Sequence, residues 1–251
     1  MSRIGDGFDV RSLASTYRDG TVLGAHDHPW GQLVYARSGV MRVIAAGSAW
    51  LTPPTRAVWL PAGVTHQIAM KGDVAMRTLY IAPERADGLS DQVAVLEIAP
   101  LLRELILHIL AVGMLDPLQP EHDRLAGVLI DLMCQARPLD LALQLPRDPR
   151  ALALAERIQA APGEAIALAE LARRAAASLR TLQRLFPDET SLTLESWRQK
   201  ARLIAAVGQL SGGASVTTTA LDCGYESPSA FITAFKRQFG VTPGRYRAAG
   251  R

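Results

Sequence analysis

The last third of the chain carries one pattern twice. Leu168 and Ala172 open the first copy, and Val216 and Ala220 open the second. Ser178, Leu182 and Phe186 then match Ser227, Phe231 and Phe235, and Thr193 and Trp197 match Thr242 and Tyr246. From the serines onward every match is offset by 49 residues. Self-similarity at a fixed period marks a duplicated supersecondary unit. Each unit reads as a short apolar helix, a tight turn, and a second helix with apolar residues at i, i+4 and i+8. That is a helix-turn-helix, whose second helix can enter a DNA major groove. The pattern therefore predicts a DNA-binding domain with two reading heads.

Charge follows the repeat. Residues 147–251 hold 15 Lys+Arg against 9 Asp+Glu, a net +6, and residues 1–146 carry −3. A basic surface suits phosphate, though a solvated helix face could hold the same charge. The 49% hydrophobic and 20% charged content indicates a folded chain, and 251 residues allow two modest domains. Cys134 and Cys223 lie outside any zinc-type spacing, and their apolar helical settings predict reduced core thiols. Met1 to Gly7 lacks a basic-then-apolar leader, and no apolar run is long enough to span a bilayer, so a cytoplasmic protein is expected.

Residues 21–82 read as short strands. The turn signals between them are Arg37-Ser38-Gly39, Ala46-Gly47-Ser48, Pro53-Pro54, Pro61-Ala62-Gly63 and Lys71-Gly72-Asp73. That spacing predicts a sandwich or barrel. Beyond Pro83 the period becomes helical: Leu101, Leu102, Leu105, Ile106, Ile109 and Leu110, then Leu125, Val128, Leu129, Leu132 and Met133. Two such helices can cover the barrel or form a dimer interface. The faces with Leu102, Leu105, Ile106 and Ile109, or with Leu125, Leu129 and Leu132, are the expected dimer contacts. His108 and His122 have no partner at ligand spacing and receive no role. Leu139 to Pro149 is the expected linker.

The C-terminal segment, roughly 151–247, resembles the DNA-binding domain of AraC/XylS-type transcription regulators. The resemblance rests on Gly224 to Phe231, on Phe235 to Arg247, and on the first-copy helix Ser178 to Phe186. Gly224 suits a turn hostile to a Cβ. Ser227 can cap the second recognition helix, with Pro228 in its first turn. Leu182, Phe186, Phe231 and Phe235 are expected to anchor the core. Arg180, Gln183 and Arg184 then face outward in the first copy, where Arg suits guanine and Gln suits adenine. Pro228, Ser229, Ile232 and Thr233 face outward in the second, with Lys236 near the backbone. Ser178, Thr181, Ser227 and Arg237 complete the expected DNA-binding set. Thr193 to Leu210 should link the heads, about 27 Å at 1.5 Å per residue. Two residues depart from the family pattern. Ser191 replaces a glycine, where left-handed backbone would cost roughly 1 kcal/mol. Pro187 is expected to end or kink the first recognition helix.

Residues 21–82 resemble the cupin-type sensor domain of many such regulators. The resemblance rests on His26-Asp27-His28, Gln32, and Pro61-Ala62-Gly63-Val64-Thr65-His66. It implies a divalent transition metal on His26, His28 and His66, with Gln32 where a Glu would be expected. Otherwise these imidazoles line an effector pocket or bond within the barrel. Trp30, Tyr35, Trp50 and Trp59 could wall such a pocket, or simply be core.

The expected architecture is α+β and multidomain. Residues 1–95 form a cupin-like effector or sensor barrel. Residues 96–145 form a helical dimerisation region and linker. Residues 146–251 form an all-α double helix-turn-helix domain. The expected function is sequence-specific transcription regulation, as an activator or repressor, by a non-enzymatic homodimer. Its partners would be double-stranded promoter DNA, a small-molecule effector and, for an activator, RNA polymerase, with no membrane. The alternatives are a metal-dependent cupin enzyme with an accessory DNA-binding domain, and a constitutive DNA binder with an inert barrel.

Overall fold

The computed structural model describes residues 7–54, 56–139 and 141–249. The leader reading of Met1 to Asp6 and the Asp140 position of the linker fall outside the described residues. The chain forms two compact units, one of residues up to Ala46 with Trp50–Leu141, the other of Gly47–Ala49 with Ala142 onward.

The strands are β1 (Val10–Tyr17), β2 (Val22–His26), β3 (Gly31–Ala45), β4 (Ser48–Thr52), β5 (Arg56–Leu60), β6 (His66–Ile81) and β7 (Ala94–Glu97). Helix α1 (Pro100–Val112), β8 (Met114–Leu115), α2 (Pro120–Gln135) and β9 (Pro138–Leu139) complete the first unit. The antiparallel order is β8-β1-β6-β3-β5-β7-β9, with β2 added to β6 and β4 to β3.

Two expected turns are not turns. Arg37-Ser38-Gly39 lies inside β3 and Lys71-Gly72-Asp73 inside β6, strands of 15 and 16 residues. The register shifts between Ala36 and Ser38 and again before Val40, which faces Lys71. Gly39 and Gly72 adopt φ of 78° and 74° at these irregularities. The glycines thus mark bulges that bend two long paired strands rather than ending them. As a result β6 pairs with β2 through Val22, Leu23 and His26 and with β1 along its C-terminal half. Strand β1 and the short strands from β7 onward lay outside the sequence-read β region.

Alternation along these strands buries both faces. Leu33, Tyr35, Ala57, Trp59, Leu79 and Ile81 pack with Leu102, Ile106, Ile109, Leu129 and Met133 of α1 and α2. On the alternate positions Val34, Val58, Leu60, Met41, Val43, Ile68 and Met70 are also buried. This explains why β5 is buried at all five positions. It also corrects the expected dimer faces. Leu102, Ile106, Ile109 and Leu129 are core of this unit, at no more than 1% exposure, and Leu105, Leu125 and Leu132 pack partly against them. The large apolar residues that α1 and α2 leave exposed are Leu101, Val112 and Val128. Tyr35 and Trp59 belong to the core, and Trp30 is buried beneath the Arg11 guanidinium, 5.1 Å from its ring centre. Cys134 is exposed rather than buried, whereas Cys223 is buried as expected.

The second unit holds β10 (Ala142–Gln144) and helices α3 (Pro149–Ala160), α4 (Leu168–Arg174), α5 (Leu179–Thr190), α6 (Leu194–Ser211), α7 (Val216–Asp222), α8 (Pro228–Phe239) and α9 (Pro243–Ala249). The repeat is visible in its bonds. Ser178 and Ser227 accept from Thr181 N at 3.0 Å and Ala230 N at 3.2 Å, capping α5 and α8 alike. Phe186 meets Trp197 edge-on at 5.4 Å and 73°, and Phe235 meets Tyr246 at 5.5 Å and 74°. The linking helix α6 has 18 residues and is capped by Thr193.

Pro187 does not end α5. The helix runs on to Thr190, and Ser191 N closes it on Pro187 O at 3.0 Å. Proline leaves the carbonyl one turn back, on Gln183, without its helical donor. Gln183 lies on the exposed face, where water can serve that carbonyl. Leu182, Phe186 and Thr190 meanwhile stay buried across the proline, and Thr190 Oγ1 donates to Phe186 O at 2.7 Å.

Candidate functional site

The two recognition helices align residue for residue from their caps. Arg180, Gln183, Arg184 and Pro187 of α5 occupy the positions of Ser229, Ile232, Thr233 and Lys236 of α8. All eight are exposed, while the intervening Leu182 and Phe186, and Phe231 and Phe235, are fully buried. Positions i, i+3, i+4 and i+7 form one helical stripe, so each head presents one stripe to solvent. The α5 stripe carries three long hydrogen-bonding side chains. The α8 stripe carries none until Lys236, with the exposed Arg237 beside it.

Some expected contact residues are already engaged. Ser178 and Thr181 share a hydroxyl contact of 2.8 Å at the start of α5. Thr233 Oγ1 donates back to Ser229 O at 3.0 Å. Pro228 stands at the first helical position and is half-buried. The turns that set the stripes both use left-handed backbone. Ala176 has φ 52° in the first copy, and Gly224 has φ 75° in the second. The second turn is one residue longer, which accounts for an offset of 48 before the serines and 49 after them.

A second constellation lies in the first unit. His26 and His66 face each other directly across β2 and β6, and His28 follows two residues on. Their ring centres are 4.4 Å (His26–His66), 5.1 Å (His28–His66) and 6.1 Å (His26–His28) apart. One ligating atom from each lies within 4.8 Å of the others. His26 is exposed, His28 half-buried and His66 buried, so the cluster runs from the surface inward.

Hydrogen bonds define the tautomers. Nδ1 of His26, His28 and His66 lies 2.8, 2.7 and 2.8 Å from the carbonyls of Gly24, Trp30 and Val64. A carbonyl only accepts, so each Nδ1 donates a proton there, and Nε2 is the ring nitrogen that can meet a ligand. His66 Nε2 is buried and has no hydrogen-bond partner among the described residues. Burial is also the main cause that pushes the His66 pKa below its ordinary value, which favours the neutral ring. Gln32 is oriented from behind. Its amide donates to Thr78 Oγ1 at 3.0 Å, because the Thr78 hydroxyl itself donates to Leu33 O at 3.1 Å. Oε1 is thereby left facing His28 Nε2 at 3.1 Å. Sequence reading named the histidines and Gln32 but missed Thr78, 46 residues from Gln32 and beside it only through the β3–β6 register.

The comparisons with known proteins agree with both halves. Residues 10–186 match the AraC-like ligand binding domain, and residues 171–249 match a helix-turn-helix domain. The HTH-type transcriptional regulator NimR of Escherichia coli K12 is 36% identical over 223 residues, covering 89% of this chain and 81% of NimR. The HTH-type transcriptional activator RhaS of Escherichia fergusonii is 38% identical over 85 residues, which is 34% of this chain and 31% of RhaS. Fatty-acid-bound ToxT of Vibrio cholerae has a TM-score of 0.40 and 11% identity, with 98% of this chain and 97% of ToxT covered. A ligand-binding β-domain joined to a double helix-turn-helix defines a DNA-binding transcription regulator. This chain belongs to the AraC family of such regulators.

Proposed function

We propose that the histidine cluster is where this regulator senses its signal, and that a divalent transition metal occupies it. The lone-pair count carries this reading. One ligating nitrogen from each of the three imidazoles lies within 4.8 Å of the others, each Nδ1 bonds a backbone carbonyl, and the Gln32 oxygen lies 3.1 Å from His28 Nε2. A cation held between the three imidazoles would satisfy these electron-pair donors together. Imidazole nitrogens with one amide oxygen suit zinc-like ions. The bonded Nδ1–H groups are the outer contacts that fix ligating rings. Bound there, the metal would supply charge and open coordination positions for a small effector.

The His28–Gln32 contact favours one other reading. A proton on His28 Nε2 would also satisfy Oε1, and the resulting cation would suit an anionic or hydroxylated effector. Metal analysis of the purified, untagged full-length chain separates the two. The metal reading expects near-stoichiometric metal that is lost in His28→Ala, and DNA affinity that changes when the metal is stripped. A chain that takes up neither Zn2+ nor Co2+ in titration sinks it.

Regulation rather than catalysis is the proposed role, since the named relatives are transcription regulators. RhaS is named a transcriptional activator; if this chain shares that role, it would recruit RNA polymerase, acting as a homodimer. Among the described residues no helix is long and apolar enough to cross a membrane.

A further inference from the structure

We propose that the second head reads thymine by its methyl group, with Ile232 as the reader. The inference rests on the reading that α8 enters the major groove. Ile232 stands on the exposed stripe at the position that Gln183 holds in α5, and it is 37% exposed. Its stripe neighbours add little hydrogen-bonding reach. The Thr233 hydroxyl donates its proton to Ser229 O and is left only as an acceptor, Ser229 is short, and the adjacent exposed Ala230 has no polar side-chain atom.

In the major groove every base pair shows donors and acceptors, but thymine alone adds a C5-methyl. An isoleucine pressed against guanine O6 and N7, or against the amino groups of adenine or cytosine, would strand polar atoms without partners. Against thymine it gains apolar burial instead. A β-branched side chain on a helix is stiff at χ1, so little rotamer freedom is lost on contact. Covering one methyl contributes about 0.8 kcal/mol, or about fourfold in affinity. Reading this weak needs anchoring, and Lys236 and Arg237 lie one turn further along α8. The corresponding residues of α5 are Pro187 and Asp188. The two heads thus divide the work: α5 reads by hydrogen bonds, and α8 holds phosphate and reads methyl groups.

The test uses the full-length chain and a duplex selected with it from a randomised pool. Each thymine is replaced singly by deoxyuridine, which removes only the methyl, and binding is followed by fluorescence anisotropy. One or two thymines should each lose about fourfold in affinity. Ile232→Ala should bind the parent duplex about as weakly as wild type binds the uridine duplex, and should no longer distinguish the two. Ile232→Val should restore part of the discrimination. A site indifferent to uridine throughout overturns the proposal, as does an Ile232→Ala chain with undiminished uridine sensitivity. Lys236→Ala separates the two levels. If it leaves affinity and salt dependence unaltered, α8 is not on the DNA and the underlying reading fails as well. If it weakens binding while uridine stays neutral, only methyl reading fails.

Discussion

Ser191 and Ala176 hold left-handed backbone, with φ of 58° and 52°. The corresponding positions in the second copy are Gly240, at φ 73°, and Gly224, at φ 75°. A Cβ in this region strains the chain by roughly 1 kcal/mol, while glycine costs some unfolded-state entropy in return. Ser191→Gly and Ala176→Gly should each raise the unfolding free energy by about 0.5 kcal/mol, up to about 1. Urea titrations of the full chain would show it, and unchanged midpoints would refute it. The reverse change should be costly, because a Cβ on Gly224 would meet Gly163 O at 3.0 Å and the Arg202 guanidinium at 2.9 Å. The Ser191 strain was legible in the sequence because the repeat supplies its own reference residue. Ala176 was not, since the second turn has one residue more and the glycine falls out of register.

Among the elements, α5 and α8 share caps, buried anchors and aromatic contacts but not their outward stripes. The stripes were readable from sequence because they depend only on helical period and cap position. Arg184→Ala should cost about 1–3 kcal/mol of DNA binding and relax specificity at one base pair if it reads guanine. Lys236→Ala should weaken binding to all sequences and lower the salt slope by about 1. Binding-site selection with each variant distinguishes these outcomes, and unaltered base preference in Arg184→Ala would defeat its assignment. Strands β3 and β6 were less legible. Gly39 and Gly72 each read as turn signals, yet a left-handed glycine serves a bulge equally well. Only the pairing of the long strands decides which it is. Pro187 misled for a related reason: its lost N–H faces a carbonyl that water can reach, while three side chains of the same helix stay anchored.

At the scale of the molecule, the start of the second unit matters to its stability. Trp197 is fully buried, and its indole N–H donates to Gln144 O at 2.8 Å. A fragment beginning at Arg147, the expected start of the basic segment, lacks that acceptor. One beginning at Ala142 keeps it and should be more stable by about 1–3 kcal/mol, the usual cost of an orphaned buried donor. Both should bind DNA, and equal melting temperatures would show that the contact is replaced. Dimerisation belongs to this scale too. With the inner faces of α1 and α2 spent on the sheet, Leu101→Asp or Val128→Asp should yield a folded monomer by sedimentation. A wild-type chain that is itself monomeric at micromolar concentration removes the proposal. The histidine cluster was half legible. The two imidazoles of His26 and His28 are close in sequence, but the reason Gln32 turns its oxygen toward His28 lies in Thr78, whose strand was readable while its pairing with β3 was not. The unlike stripes have a last consequence. A domain whose halves differ at every outward position has no front-to-back equivalence, so its footprint on a duplex is an arrow rather than a mirror. Reversing such a site in a promoter would exchange which half of it each head meets along the promoter, and the same sequence would issue a different instruction.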